Sequence, residues 1–174
     1  MSAETADAKE PSQQGLGEAT RAYQAAVDDF DRELARLFGI NETDLRCLEI
    51  LLLELPEALP SQLAERLGLT TGSTTALLDR LEKAGHLARS PHPTDRRKSI
   101  VRATPAFQKA AYDLMAPLVD EGHQMVADNY TPQQIATITD YLRRAIALQQ
   151  RHTRQLRSMP RMRGAEQDTT ASRG

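Results

Sequence analysis

The stretch LTTGSTTALLDRLEKAGHL, Leu69 to Leu87, decides how this chain is read. Before it, Leu63, Ala64 and Leu67 predict a short apolar helix, Gly68 a tight turn, and the Thr/Ser run a second helix starting around Thr71. Small Ala64 lets the second helix cross closely, and glycine supplies the positive φ that the turn requires. Gly85 suits the left-handed position that ends the second helix. After it the period changes. Leu87 and Arg89 predict one short strand, Ile100 and Arg102 another, and Ser90 to Lys98 the hairpin tip between them, with Pro91 and Pro93 where they remove no ladder hydrogen bond. A helix-turn-helix followed by a basic hairpin is a winged helix, here residues 58–103.

The string Asp79-Arg80-Leu81-Glu82-Lys83-Ala84-Gly85, then Arg89, Asp95-Arg96-Arg97 and Thr104-Pro105, resembles the MarR (multiple antibiotic resistance regulator) family of transcription factors. The resemblance extends from about Ala19 to Arg157, and its specificity lies in the combined order and spacing of the pieces. Two positions depart from the family pattern. Thr74 stands where an apolar β-branched residue is usual, and Ala76 where a longer polar or basic residue often reads a base, so sequence preference here leans on the wing and on DNA shape.

The 174 residues predict one mostly α domain of about six helices and a two- to three-stranded wing. The formal net charge of −2 argues against a nucleic-acid binder until its distribution is considered. From Met1 to Glu42 nine acids oppose four bases, giving −5; from Asp79 to Arg102 seven bases oppose three acids, giving +4. The positive field falls on the helix-turn-helix and wing, where a polyanion would be met. A polar, acidic start and no apolar run near ~20 residues predict a cytoplasmic protein without a membrane span, and a lone Cys47 fits a reducing compartment.

Residues 1–17 offer almost nothing apolar and are expected to form a disordered tail, as are residues 158–174. Between them lies the domain, 18–157. Tyr23, Ala26 or Val27, Phe30, Leu34 and Leu37 predict an amphipathic helix over 18–38. Asn41 caps the next helix, whose expected buried stripe is Leu45, Leu48, Leu52 and Leu55 before Pro56 stops it. Thr104-Pro105 opens a long helix carrying Phe107, Ala111, Leu114, Leu118, Met125 and Val126, with a bend expected at Pro117. Thr131-Pro132-Gln133-Gln134 is a capping box, followed by Ile135, Ile138, Leu142 and Ile146.

The apolar stripes of 18–38 and 104–157 lie far in sequence from the winged-helix core, and a second copy of the chain is their simplest cover. The family resemblance implies the same homodimer. Its two-fold axis would set two recognition helices roughly 34 Å apart, matching successive major grooves of double-stranded DNA at an inverted repeat. The candidate DNA-binding residues are Thr71, Ser73, Thr74, Thr75 and Arg80 on the recognition helix and Asp95, Arg96 and Arg97 in the wing. Hydroxyls and backbone N–H groups at a positive helix end suit phosphates and base edges, with Thr74 nearer the inner face. Asp95 makes no sense against a polyanion but does as a brace, paired with Arg97 or a nearby backbone N–H, leaving the other arginine for the minor groove.

No catalytic constellation is present: no G-x-S-x-G, H-E-x-x-H, phosphate loop or C-x-x-C. An enzyme is not expected, nor a cofactor or metal; His92 with Asp95, and His123 near Asp120 and Glu121, are more economically read as a wing turn and a solvated helix face. Cys47, beside Leu45 and Leu48, reads as a core thiol rather than an oxidant sensor. The resemblance implies a small-molecule pocket between the dimerisation helices and the DNA-binding lobe, with Tyr23, Phe30, Phe107 and Tyr112 as the aromatic residues for its lining; interface packing explains them equally well. The expected function is a dimeric transcriptional regulator, a repressor in most such families, released by a small ligand. The alternatives are a redox- or metal-responsive regulator of the same fold and a winged-helix protein-interaction module.

Overall fold

The computed structural model describes residues 12–160. Helix α1 (Gln13–Phe38) begins where Ser12 Oγ accepts from the Gly15 N–H at 3.0 Å, five residues before the expected start at Glu18, and Gly39 ends it at φ 67°. The last part of the expected tail 1–17 is therefore the first turn of α1, while residues 1–11 lie outside the described residues, as do residues 161–174 of the expected C-terminal tail. Asn41 caps α2 (Glu42–Glu49) by accepting from the Asp44 N–H at 2.8 Å.

The expected stripe of the second helix is displaced towards its end. A π-helical segment, Ile50–Glu54, follows α2, and the Leu55 N–H reaches back five residues to the Ile50 carbonyl at 2.7 Å. The wider turn moves the inward face by about one residue. Ile50 and Leu51 are buried instead, whereas Leu52 and Leu55 are only half-buried and Leu53 faces outward.

Helix α3 (Pro60–Leu67), Gly68 at φ 68° and α4 (Thr71–Lys83) make the helix-turn-helix. Gly85 has φ 77°, and strands β1 (Leu87–Pro91) and β2 (Ser99–Ala103) pair antiparallel from Leu87–Ala103 to Pro91–Ser99. Ala58 adds a third, one-residue rung by exchanging two backbone hydrogen bonds with Val101. The core gathers Leu48, Leu51, Leu63, Leu78, Leu81 and Val101, closed at one side by Phe107, whose ring lies 4.9 Å from that of Phe38 and 5.1 Å from that of His86.

Thr104 caps α5 (Pro105–Asn129), accepting from the Phe107 N–H while its own hydroxyl donates to the Gly85 carbonyl. The helix continues through Pro117. The Thr131–Gln134 capping box opens α6 (Pro132–Ser158) as its sequence predicts. The chain divides into two compact units within α5, after Met115. No residue of α6 is buried, and Phe107 alone is buried on α5. Apart from Leu53, every exposed large hydrophobic among the described residues belongs to α1, α5, α6 or the residues ending the last two. Stripes of that length normally lie against a partner.

Candidate nucleic-acid interface

Helix α4 is held by Leu77, Leu78 and Leu81 in the core and by Thr70, whose hydroxyl accepts from the Ser73 N–H at 3.2 Å. Its outer surface therefore presents Thr71, Ser73, Thr75 and Ala76, the first turns of a helix whose positive end is open to solvent.

Thr74 is not on that surface. It is 1% exposed, and its hydroxyl donates to the Thr70 carbonyl at 2.9 Å. The β-branched side chain packs inward as an apolar one would, which explains how threonine stands at this position and removes it from the contact set. Since the Thr70 carbonyl also accepts from the Thr74 N–H at 2.9 Å, it stays satisfied without the hydroxyl. Thr74→Val is expected to change stability by less than about 1 kcal/mol and leave DNA affinity unchanged, as urea denaturation and a binding titration will read. A large loss of affinity would return Thr74 to the interface.

Arg80 has a partner that no local pattern announces. Its Nε and Nη2 donate to Asp44 Oδ2 and Oδ1 at 2.8 and 2.5 Å, and Asp44, on the first turn of α2, is 1% exposed. These hydrogen bonds raise the arginine pKa above its usual range. The side chain is still half exposed, so Arg80 braces α4 against α2 with part of its guanidinium and leaves the rest to solvent.

The wing is braced twice at its base. The Arg89 backbone N–H donates to Glu82 Oε1 at 3.0 Å while its guanidinium reaches Asp79 at 2.6 Å and Glu82 at 3.1 Å. Arg102 donates to Glu57 at 2.7 and 2.9 Å and to Ser90 Oγ at 2.6 Å. Three of the seven bases counted in the positive stretch 79–102, Arg80, Arg89 and Arg102, are thus paired within the molecule, and apart from Lys83 on α4 the free positive charge contracts to the wing tip. There Asp95 Oδ1 accepts from the Arg97 backbone N–H at 3.1 Å, while the Arg97 and Lys98 side chains stand 3.7 and 3.6 Å from the carboxylate. Asp95 is the brace its sequence context predicts. It holds Arg97 mainly through the main chain, leaving that side chain 95% exposed, and Arg96 makes no ion pair among the described residues.

Tyr23, Phe30, Phe107 and Tyr112 do not line the cavities of about 640 and 260 Å³ in a single copy of the chain. Phe107 is core, while Tyr23 and Tyr112 are 69% and 72% exposed. A cavity of about 640 Å³ opens instead between α1, the start of α2 and α4, with Ala35, Ile40 and Leu77 as apolar lining and Arg32, Arg36 and Arg80 as cations.

Cys47 is fully buried; burial, helped by the nearby Asp44 carboxylate, pushes its thiol up to about 12. A thiol reagent at neutral pH is expected to label the native protein more than about a hundredfold more slowly than the unfolded chain. Equal rates would show an accessible thiolate and revive oxidant sensing. His92 Nδ1 accepts from the Thr94 N–H at 3.3 Å, so it serves the wing turn, and among the described residues no three His, Cys, Asp or Glu side chains converge for a metal.

Residues 40–99 match the model of the MarR family. The uncharacterised HTH-type transcriptional regulator YcgE of Bacillus subtilis is 34% identical over 131 residues, 74% of this chain and 82% of the relative. The chain belongs to the MarR family. As a MarR-family protein it is a transcriptional regulator and not an enzyme. Among solved structures, the transcriptional regulator Tm0710 of Thermotoga maritima has a TM-score of 0.57 at 24% identity, covering 81% of this chain and 98% of that one. Streptococcus pneumoniae FabT in complex with DNA has a TM-score of 0.62 at 19% identity, covering 79% and 96%. Both share the fold. No helix among the described residues is long and apolar enough to cross a membrane.

Proposed function

We propose that this MarR-family regulator is a cytoplasmic homodimeric repressor of an inverted-repeat operator, released by a small organic effector. The observation that carries the reading is the pairing of an exposed hydroxyl face on α4 with an arginine-tipped wing braced to it by Arg89, so that both reach one duplex in fixed relation. Thr71, Ser73 and Thr75 then meet the major groove, and Arg96 and Arg97 the adjacent minor groove, whose narrow A/T-rich stretches attract guanidinium. FabT, similar in fold, was crystallised with DNA. A dimer supplies the second recognition helix and covers the exposed stripes of α1, α5 and α6.

Repression follows from occupancy, because a dimer spread over two major grooves at a promoter excludes polymerase. The cavity beneath Arg80 supports the effector half of the reading. A ligand there touches α1, α2 and the recognition helix together, and a coupling of about 1–3 kcal/mol suffices to release the operator.

A fluorescence-anisotropy titration with duplexes from the DNA flanking its own gene, competed by unrelated duplex, tests the proposal. Binding at least about a thousandfold tighter than to the competitor is expected for one flanking site. Equal affinity for every duplex would contradict it.

A further inference from the structure

Helix α6 carries a face that the winged-helix function does not use. From Tyr141 to Pro160 there is no acid and there are five arginines. Arg144 is tied to Asp140 at 2.7 Å, whereas Arg143, Arg151, Arg154 and Arg157 make no ion pair among the described residues. Their spacing of eight, three and three residues places all four within about 120° of one another around the helix axis. They flank the exposed apolar stripe of Ile138, Leu142 and Ile146. A cationic band beside an apolar stripe calls for a partner that is both apolar and acidic.

Helix α1 has the complementary pattern. Its exposed Val27 and Phe30 are followed at once in sequence by Asp28 and Asp31, placing an acidic flank beside the apolar stripe. Neither carboxylate makes an ion pair among the described residues, in contrast to Asp29 and Glu33, which are satisfied by Arg32 and Arg36. Asp28 and Asp31 border a groove of about 260 Å³ between α1 and α2, to which Glu42 and Glu49 add two further acids. The two arginines there are already engaged, Arg32 by Asp29 and Arg46 by Glu49 and Glu54. Burial and then the charge of Asp28 raise the Asp31 pKa, only partly offset by Arg46, so this carboxylate lacks a full counter-charge.

We propose that the arginine flank of α6 in one copy docks on the Asp28–Asp31 flank of α1 in a second copy. This rests on the homodimer reading and adds to it the charge pairing that selects the partner and sets its register. The two-fold axis repeats each contact, so any mismatch counts twice. Apolar stripes alone would accept many partners; matching of acid to arginine excludes copies approaching with like charges opposed.

Sedimentation equilibrium reads the dimer dissociation constant of the full chain for the wild type, for Arg151→Glu/Arg154→Glu, for Asp28→Arg/Asp31→Arg, and for all four changes together. Asp28, Arg151 and Arg154 are exposed and Asp31 is half-buried, and far-ultraviolet circular dichroism checks that each variant keeps its helices. Each reversal alone is expected to weaken the dimer at least about tenfold at low salt and less at high salt, and the four changes together to restore it. The inference is overturned if the wild type is dimeric and either reversal leaves its constant unchanged, or if the combined change fails to restore it. Were the α6 reversal to lower affinity for DNA, or for vesicles containing anionic lipid, at an unchanged dimer constant, those arginines would belong to that surface instead. A wild type that is monomeric throughout refutes the dimer itself, a different result from a dimer indifferent to these charges.

Discussion

Arg80→Ala is expected to destabilise the fold by about 3 kcal/mol, because it strands a carboxylate in the protein interior. Asp44 is 1% exposed, and its side-chain oxygens accept from Arg80 Nε and Nη2. Losing one partner of a buried ion pair typically costs about 3–5 kcal/mol, and the half-exposed guanidinium places this pair at the lower end. The two partners are not equivalent. Asp44→Asn keeps the shape and one acceptor and frees an arginine that can turn to water, so it is expected to cost about 1–2 kcal/mol. Removing both partners should be less harmful than the sum of the single changes, a coupling of at least about 1 kcal/mol in a double-mutant cycle by urea denaturation. Additive effects would show that the bond does not hold α4 to α2. Because the arginine pKa is raised, the arginine's own contribution is fully present below the ordinary arginine range and is lost as pH rises through the elevated value, beyond any working pH.

The second large effect concerns the wing. Arg96→Ala/Arg97→Ala is expected to weaken operator binding roughly 10- to 100-fold near ~0.1 M salt and to flatten the slope of log affinity against log salt by about two charges' worth. Both arginines are exposed, and neither contributes to the core. Unchanged affinity and slope would remove the wing from the interface. Asp95→Ala supplies the internal control. It deletes a negative charge from a surface meeting DNA, so electrostatics alone predict tighter binding. Because the carboxylate pins the Arg97 backbone N–H, the expected result is weaker binding with little change in salt slope.

How much of this was legible in the sequence depended on distance along the chain. The caps at Asn41, Thr104 and Thr131 and the left-handed glycines Gly68 and Gly85 are local decisions, made within three or four residues, and they appear where the residues predict them. The Asp95 brace is local as well, spanning two residues. The early start of α1 was hidden because Gly15 and Gly17 make its first turns look unlike a helix, although Ser12 supplies an ordinary cap. The π-helical turn left no mark in Ile50-Leu51-Leu52-Leu53-Glu54, since an apolar run has no phase from which to read the extra residue.

The bonds that define the interface were beyond reach for a related reason. Asp44 and Arg80 are 36 residues apart, and Glu57 and Arg102 are 45 apart, so no periodicity joins them. Counting charge between Asp79 and Arg102 therefore overstated the field on the wing, because two of its neutralising acids lie outside that window. The cavity was missed likewise: its lining comes from three helices whose meeting is a tertiary fact, whereas aromatic content pointed to Phe107, a residue the core had already taken.

The most direct test of the account is the mass, by analytical ultracentrifugation, of the free protein and of its complex with a duplex from upstream of its own gene. A dimer at micromolar concentration and two chains on one duplex at saturation are predicted. A single chain that stays alone in solution and leaves the duplex unbound in low salt would contradict it.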